Sequence, residues 1–550
     1  MEKKITKPSA DPAVEEKGHL EQPEGSIRAV GIVQDAHHHF EELGELKQGL
    51  QQRHIQMIAL AGAIGTGLFL GSGIALAKGG PLGAFLGYTI TGVLASSVAL
   101  AVGEMGALAP LSGGIVRYAE LFVDPALSFA VGWNIVYFYL VSIPNEIVAT
   151  AALIEFWVST NNAIWITIFS LLVVVSCSLF VRVYGELEFT FSMLKILLIV
   201  FINILALVVT CGGGPSGSAI GFKYWHTPGL FVQYLGVPGA LGRFMGFWST
   251  FSSAVYSYSG IENITMAASE IDYPRRAIPQ AAKRIFVRII LFYVVSIFMV
   301  TLVVASNDPS LLGASSTSAS PFVIAANNAG IKVVPSIINA IVITSAWSSA
   351  NAGMLVGTRA LYGMAKEGRA PKIFARLNRY SIPYVAVTLF SVFLALGYLT
   401  LSDSASVVFS WLINLIAVGA LVNWSVILIT YLRFQYGCKA QSIDRDELPW
   451  AAPFQPYLSW VALSVFILLL LTSGYTVFIN GHWSAQTFIS SYINIPIILA
   501  LYFGYKLTRR TKVISLGEIP IRTFIQIAND NPEPPAKPKQ GLRRLNILWS

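Results

Sequence analysis

The sequence predicts an all-α polytopic membrane protein of twelve transmembrane helices: two halves of five, the first helix of each half broken, and two added helices. Three observations predict it. The chain of 550 residues is 54% hydrophobic and only 12% charged, where a soluble protein carries about 25% charge, and its mean hydropathy is +0.63. Apolar runs near the ~20 residues that a bilayer requires recur along the chain. Two of these runs, at corresponding places in the halves, are interrupted by glycine and hydroxyl residues.

The apolar runs lie near 57–77, 82–108, 126–155, 163–183, 190–211, 246–269, 285–306, 333–361, 384–401, 405–432, 458–479 and 488–507. Before them, residues 1–45 are polar, with no apolar segment resembling a cleaved leader, and read as a disordered tail. Residues 46–510 form the membrane domain and 511–550 a second tail, with a Pro-rich stretch at 532–539. The connection Lys78-Gly79-Gly80-Pro81 is short enough to make spans 1 and 2 an antiparallel pair. Segment 212–245 is the largest outer loop, and a short surface or re-entrant helix is expected at 321–329.

Charge sets orientation. Arg275, Arg276, Lys283, Arg284 and Arg288 follow span 6, and Lys366, Arg369, Lys372, Arg376 and Arg379 follow span 8. Loops rich in Lys and Arg face the cytoplasm, which puts both termini there. The net charge of +8 and pI near 9.2 therefore belong to membrane topology and not to nucleic-acid binding. Cys177, Cys211 and Cys438 do not form a disulfide framework, Cys438 falling in an expected cytoplasmic loop.

The first break is Ile64-Gly65-Thr66-Gly67. Non-helical backbone at membrane depth is tolerated only where it is buried in protein or lines a watery cavity. Amides freed at a half-helix N-terminus suit a carboxylate. The second break is Tyr256-Ser257-Tyr258-Ser259-Gly260-Ile261-Glu262, whose exposed carbonyls near Tyr258 and Ser259 suit an ammonium. A solute with both groups is an α-amino acid. Close helix packing is the alternative use of such glycines, and the occurrence of two breaks at matching places favours the site.

Ionisable residues inside spans mark function. Glu262 follows the second break and is placed to attract an ammonium, to organise the break or to carry a proton. Lys195, about 8 Å inside span 5, either snorkels to the cytoplasmic surface or projects inward to exchange a proton. Glu146, beside Pro144 and Asn145 in span 3, faces the bundle interior as a candidate for substrate selection or proton relay. Trp347 sits among small residues in span 8, as a cavity wall or as core. Glu104, near the inner end of span 2, suits loop tethering, and Asn414 and Asn423 in span 10 suit helix bridging. No P-loop, HExxH, nucleophile elbow or CxxC pair occurs. The sequence is read as that of no enzyme, with no cofactor, driven by a gradient.

The runs Leu46-Lys47-Gln48-Gly49-Leu50, Arg53-His54-Ile55-Gln56-Met57 and Gly62-Ala63-Ile64-Gly65-Thr66-Gly67-Leu68-Phe69 resemble the start of fungal amino-acid permeases of the amino acid–polyamine–organocation superfamily. Gly103-Glu104-Met105, Gly132-Trp133-Asn134, Val183-Tyr184-Gly185-Glu186, Lys195-Ile196, Pro274-Arg275-Arg276-Ala277-Ile278-Pro279 and Ser320-Pro321-Phe322-Val323-Ile324 continue the match over about residues 46–510. The resemblance implies a leucine-transporter-type inverted repeat and plasma-membrane, proton-coupled uptake of amino acids. It implies Gly65, Thr66 and Gly67 at the carboxylate, Tyr258, Ser259 and Gly260 at the amino group, and Lys195 near the coupling site; Ile64, Tyr256 and Trp347 complete the expected substrate-binding set. Family members often read Phe-Ser-Phe-x-Gly-Thr-Glu in span 6, so the Tyr256–Glu262 stretch departs from the pattern and leaves specificity open.

The expected substrates are neutral amino acids or a broad set, since no added acidic cluster selects lysine or arginine. A carrier of γ-aminobutyrate, polyamine or choline on the same fold is one alternative, and a non-transporting amino-acid sensor is another. Besides amino acids and the lipid bilayer, a ubiquitin-ligase machinery acting on Lys3, Lys4, Lys7 and Lys17 is an expected partner.

Overall fold

The computed structural model describes residues 65–111, 113–158, 160–178, 181–215, 217–265, 273–312, 320–530 and 532–533. The expected disordered tail, the ubiquitin-acceptor lysines, Ile64 and the first half of span 1 lie outside the described residues. Every regular element among those described is helical.

A π-helical turn at Gly67–Gly71 leads into α1, Ser72–Leu108. The two are continuous in sequence but not straight. Gly80 has φ +77° and is followed by Pro81, which withholds an amide and ends the first limb. The Tyr88 hydroxyl lies 3.4 Å from the carbonyl of Gly67. Twenty-one residues of straight helix would separate them by about 31 Å, so the chain doubles back at Gly80 and the two limbs are antiparallel.

The remaining long elements are α2 Ile115–Phe122, α3 Pro125–Ile154, α4 Asn162–Ser178, α5 Val181–Thr210, α6 Gly239–Tyr258, α7 Pro274–Arg288, α8 Pro321–Asn328, α9 Val334–Lys366, α10 Tyr384–Phe393, α11 Ala405–Ala440, α12 Tyr457–Thr472, α13 Asn494–Arg509 and α14 Ile521–Asp530. Asp124 caps α3 by accepting from the Ala126 amide at 2.9 Å, with Pro125 at the first helical position, where its missing N–H costs nothing.

Seven described helices are long and apolar enough to cross a membrane, and an eighth arises if Ala485–Tyr492 and Asn494–Arg509, bent by 40°, form one span. The expected twelve exceed this for physical reasons. Spans 1 and 2 are counted as the single kinked run Gly67–Leu108, and the apolar helices Asn162–Cys177 and Tyr457–Thr472 are short. The expected span 6, 246–269, is instead a 20-residue helix that begins at Gly239 and stops at Tyr258, rich in Gly and Ser. Span 10 runs on to Ala440, which buries Cys438 inside a helix and not in a loop. The helix at Pro321–Asn328 is buried, with Phe322 edge-on to Phe69, and does not lie on the surface.

Two groups of helices meet at the centre. The first holds α1, α6 and α7; the second holds α3, α9 and α11. The contact between α1 and α6 is the most extensive, and a stripe of glycines allows it. Gly83 and Gly87 lie four residues apart on the second limb, where a Cβ on Gly83 would meet Phe247 and one on Gly87 would run into Thr250; Gly79, at the end of the first limb, closes on the same Thr250 side chain. Small residues at this spacing let membrane helices approach backbone to backbone. Buried amides tie the second group. Asn134 donates to the Gly419 carbonyl at 2.9 Å and to Asn423 at 2.7 Å, while Asn494 donates to Asn134 at 2.8 Å.

The stripe makes a testable demand. Gly87→Ala is expected to cost about 1–3 kcal/mol through overpacking, read as a lower unfolding midpoint of the protein in detergent. Adding Thr250→Ala is expected to recover most of the loss, because the offending atoms belong to that side chain. A double variant no more stable than the single one would dissociate the glycine from this contact.

Candidate functional site

The break that ends α6 packs against the helical turn that follows Gly65 and Thr66. Helix α6 stops at Tyr258, Ser259 is non-helical (φ −59°, ψ 142°) and Gly260 takes φ +94°, a left-handed conformation that glycine adopts without steric cost. The Gly260 amide donates to Glu262 at 3.0 Å, and the Trp424 indole of α11 donates to the same oxygen at 3.0 Å. The Ser259 hydroxyl donates to the Tyr256 carbonyl at 2.6 Å. Across from them, the helical turn after Gly65 and Thr66 packs so tightly that a Cβ on Gly67 would sit 2.7 Å from Ser257 Cα. Tyr88 shares a hydrogen bond with Ser257 Oγ at 3.0 Å.

Polar side chains converge on this contact. The hydroxyls of Thr66 and Tyr256 are 2.7 Å apart. Asn145 donates to the Tyr256 oxygen at 2.7 Å, and that hydroxyl lies 3.2 Å from Glu146 Oε1, to which it donates. With Thr66 donating, the Tyr256 oxygen accepts two bonds and gives one, which fills its capacity. Ser349 of α9 donates to the same Glu146 oxygen at 3.3 Å. A Cβ on Gly65 would stand 2.8 Å from Glu146 Oε1. Thr66, Asn145, Glu146 and Tyr256 are all buried.

The fully buried Lys195 extends the cluster, so it does not snorkel to a surface. Its ammonium has no hydrogen-bond partner among the described residues, and its charge is felt by both Glu188 and Glu146. Glu188 is buried as well; Ser348 of α9 donates to its Oε2 at 2.7 Å, and its Oε1 is unpartnered among the described residues. Trp347, adjacent to Ser348, stands edge-on to Phe191 with ring centres 5.5 Å apart.

The structure thus brings together Gly65, Thr66, Gly67, Tyr256 and Glu146, with Lys195 behind them. It sets others apart. The Tyr258 ring turns away to lie between Tyr293 (4.5 Å) and Tyr88 (6.2 Å), its hydroxyl donating to the Tyr88 carbonyl. Only its backbone remains near the break. Glu262 faces Trp424 and the Gly260 amide, which is the geometry of a group that organises the break. Three residues were missed from sequence: Glu188, Asn145 and Tyr88. Glu188 fell outside a span expected to start at residue 190, whereas α5 starts at Val181. Its seven-residue spacing from Lys195, which places both on one helical face, was the available signal.

Glu104 serves a different end. It accepts from Tyr431 (2.8 Å), Gln435 (2.6 Å), Arg445 (3.1 Å) and the Ala452 amide (2.8 Å). It ties the segment after α11 to α1 and has no tie to the breaks. Outside the breaks, a cavity of about 350 Å³ lies among α1, α6, α11 and α12, lined by Leu70, Ser253, Phe409, Asn414 and Lys78 among others.

A helix broken at Ser259–Gly260, packed against the helical turn Gly67–Gly71 and set beside buried ionisable side chains, is the architecture of a membrane transporter of the broken-helix type. The amino acid permease family model matches residues 54–516. The chain is 38% identical over 495 residues to the dicarboxylic amino acid permease of Saccharomyces cerevisiae, covering 88% of this chain and 81% of that protein. It is 40% identical to the proline-specific permease of the same yeast (85% and 76% covered) and 37% identical to its general amino-acid permease (84% and 78%). This protein therefore belongs to the amino acid permease family of transporters and is not an enzyme. Among solved structures, a manganese transporter from Eremococcus coleocola aligns with a TM-score of 0.55 at 15% identity, over 86% of this chain and 94% of that one, a likeness of fold.

Tyr256→Phe tests the cluster. Removing the hydroxyl strands the buried Asn145 amide and Thr66, a loss expected at about 1–3 kcal/mol. Thermal unfolding in detergent is expected to report it, and an unchanged midpoint would mean that the network carries no weight.

Proposed function

We propose that this transporter is a proton-coupled importer of amino acids in the plasma membrane, taking neutral amino acids or a broad range. The single observation that carries the reading is the continuity of the buried charges with the break. Adjacent Ser348 and Ser349 donate to Glu188 and Glu146, the charge of Lys195 acts on both carboxyl groups, Tyr256 donates to Glu146, and Tyr256 and Thr66 share a hydrogen bond. A protonation change at the charges is thereby linked to the backbone that meets the solute.

In this reading the carboxylate of the substrate lies on the amides of Gly65, Thr66 and Gly67 at the half-helix N-terminus, with Ile64 adjoining. Its ammonium lies against the carbonyls around Tyr258, Ser259 and Gly260, and Trp347 forms a wall. The side chains around Thr66 are Tyr, Asn, Ser and a single Glu, which suits an uncharged substrate side chain. The names of the relatives span dicarboxylic, proline and general substrates, which supports an amino acid without fixing its side chain. We further assign an inverted five-plus-five arrangement with two added helices. Both termini lie in the cytoplasm, on the side of Arg275, Arg276, Lys366 and Arg369.

Uptake of labelled L-alanine, L-proline, L-glutamate and L-lysine by permease-deficient yeast expressing the chain is expected to include at least one substrate and to collapse with a protonophore. Lys195→Ala is expected to abolish the dependence on external pH. No uptake with the protein at the surface overturns the importer, and a normal pH dependence in Lys195→Ala removes that lysine from coupling. Replacing Lys3, Lys4, Lys7 and Lys17 together by Arg is expected to lengthen surface lifetime through loss of ubiquitin attachment. An unchanged lifetime would exclude these lysines.

A further inference from the structure

Glu188 has no place in the substrate site, yet it is buried and shares its helix face with Lys195. The two are seven residues apart on α5, two helical turns or about 10 Å along the axis. Ser348 and Ser349, adjacent on α9, donate to Glu188 and to Glu146 respectively, which brings the two buried carboxyl groups to neighbouring places along that helix. The charge of Lys195 acts on both. One polar atom on each member is without a hydrogen-bond partner among the described residues: Lys195 Nζ, Glu188 Oε1 and Glu146 Oε2. Buried polar atoms are seldom left so, and open positions on three neighbouring ionisable groups are what a travelling proton requires.

Charge counting narrows the possibilities. Two carboxylates and one ammonium sum to −1, and a buried cluster with net charge is costly. One added proton on either carboxyl makes the cluster neutral. A neutral lysine beside two carboxylates would leave −2, the worst of the choices. The other side chains against the cluster, Thr66, Tyr256, Ser348 and Ser349, are uncharged in all these states. The charged groups nearby on the packed helices are Glu186, exposed at the start of α5, and Arg359 of α9, whose charge reaches Cys177. Each of these is engaged in a contact of its own.

We propose that Glu146, Lys195 and Glu188 form a relay holding one transferable proton, with Glu188 the group that releases it toward the cytoplasm. The inference rests on the proton-coupled reading above and names its carrier and stoichiometry. Glu146 takes a proton from the outer side while the substrate occupies the break. The Lys195 ammonium gives one proton to the Glu188 carboxylate, and the resulting amine takes the proton from the Glu146 carboxyl. The cluster stays neutral throughout this internal exchange and carries −1 only before Glu146 takes its proton and after Glu188 has released it. Release from Glu188 then requires that its end of α5 be opened to water. The hydrogen bond from Ser348 ties that opening to α9, which also carries Trp347 and Ser349. Glu188 is thus a proton-carrying residue that makes no contact with the amino acid.

The test uses the full chain in liposomes with the membrane potential clamped at zero and a pH gradient of one unit, probed with labelled L-alanine and L-proline. One proton per amino acid holds about a tenfold accumulation, and two hold about a hundredfold. Wild type is expected at the tenfold level, and a hundredfold level overturns the single-proton relay. Absence of accumulation with amino-acid exchange intact overturns proton coupling itself, a separate failure. Glu188→Gln is expected to lose the accumulation about tenfold while still exchanging amino acid, at a reduced rate. If that variant accumulates like wild type, coupling stands and the relay through Glu188 falls. Should Glu188→Gln not assemble, Glu188→Asp is measured in its place: a shifted pH dependence of accumulation supports the relay, and a wild-type pH dependence overturns it.

Discussion

Backbone groups that leave a helix at membrane depth have no water to fall back on, and each one left unsatisfied costs several kcal/mol. The break at Ser259–Gly260 imposes this constraint on everything around it, including the helical turn Gly67–Gly71 packed against it. Glu262 supplies an acceptor to the Gly260 amide, and Trp424 fixes Glu262 in turn. Ser259 satisfies the Tyr256 carbonyl, and Tyr88 reaches the Gly67 carbonyl. These partners come from α1, α6 and α11, so the break can exist only once three helices have assembled. The glycine stripe along α1 and the absence of a side chain at Gly67 follow from the same demand, because the two segments must touch to share donors and acceptors.

Two acidic sites illustrate two uses of a buried carboxylate. Glu104 is surrounded by four donors, one of them the Arg445 guanidinium. Its charge is fully answered, and the group serves as a fixed tether between α1 and the segment after α11. Glu146 and Glu188 keep one oxygen each without a partner and share a lysine whose ammonium has none among the described residues. A satisfied network rigidifies, and an open one can change its protonation with little rearrangement. The contrast lies in the partners: Glu104 is ion-paired with Arg445, whereas Glu146 and Glu188 have no ion pair among the described residues.

The comparisons separate fold from cargo. A protein 15% identical shares the helical architecture and is a manganese transporter, while relatives at 37–40% identity are permeases for amino acids. A scaffold with paired breaks offers a midplane site, and the residues lining the breaks decide what occupies it. In this chain the hydroxyl of Tyr256 gathers Thr66, Asn145 and Glu146 into one cluster.

Composition by itself determined that the chain is an all-helical membrane protein, because no soluble fold accommodates so many long apolar runs. The glycine at 260 marked where a helix fails, since a residue's conformational freedom is a local property. The motifs determined the family. What the local pattern did not contain were the partners. The long-range contacts that set Tyr256 against Thr66, turned Tyr258 toward Tyr293, placed Glu262 under Trp424 and brought Glu188 into the interior join residues far apart in sequence. Hydropathy windows also placed helix ends wrongly at α5, α6 and α11, because polar residues that are buried against other helices read as loop when their neighbours are unknown. Only the tertiary structure buried Lys195 and brought its charge to act on two carboxyl groups.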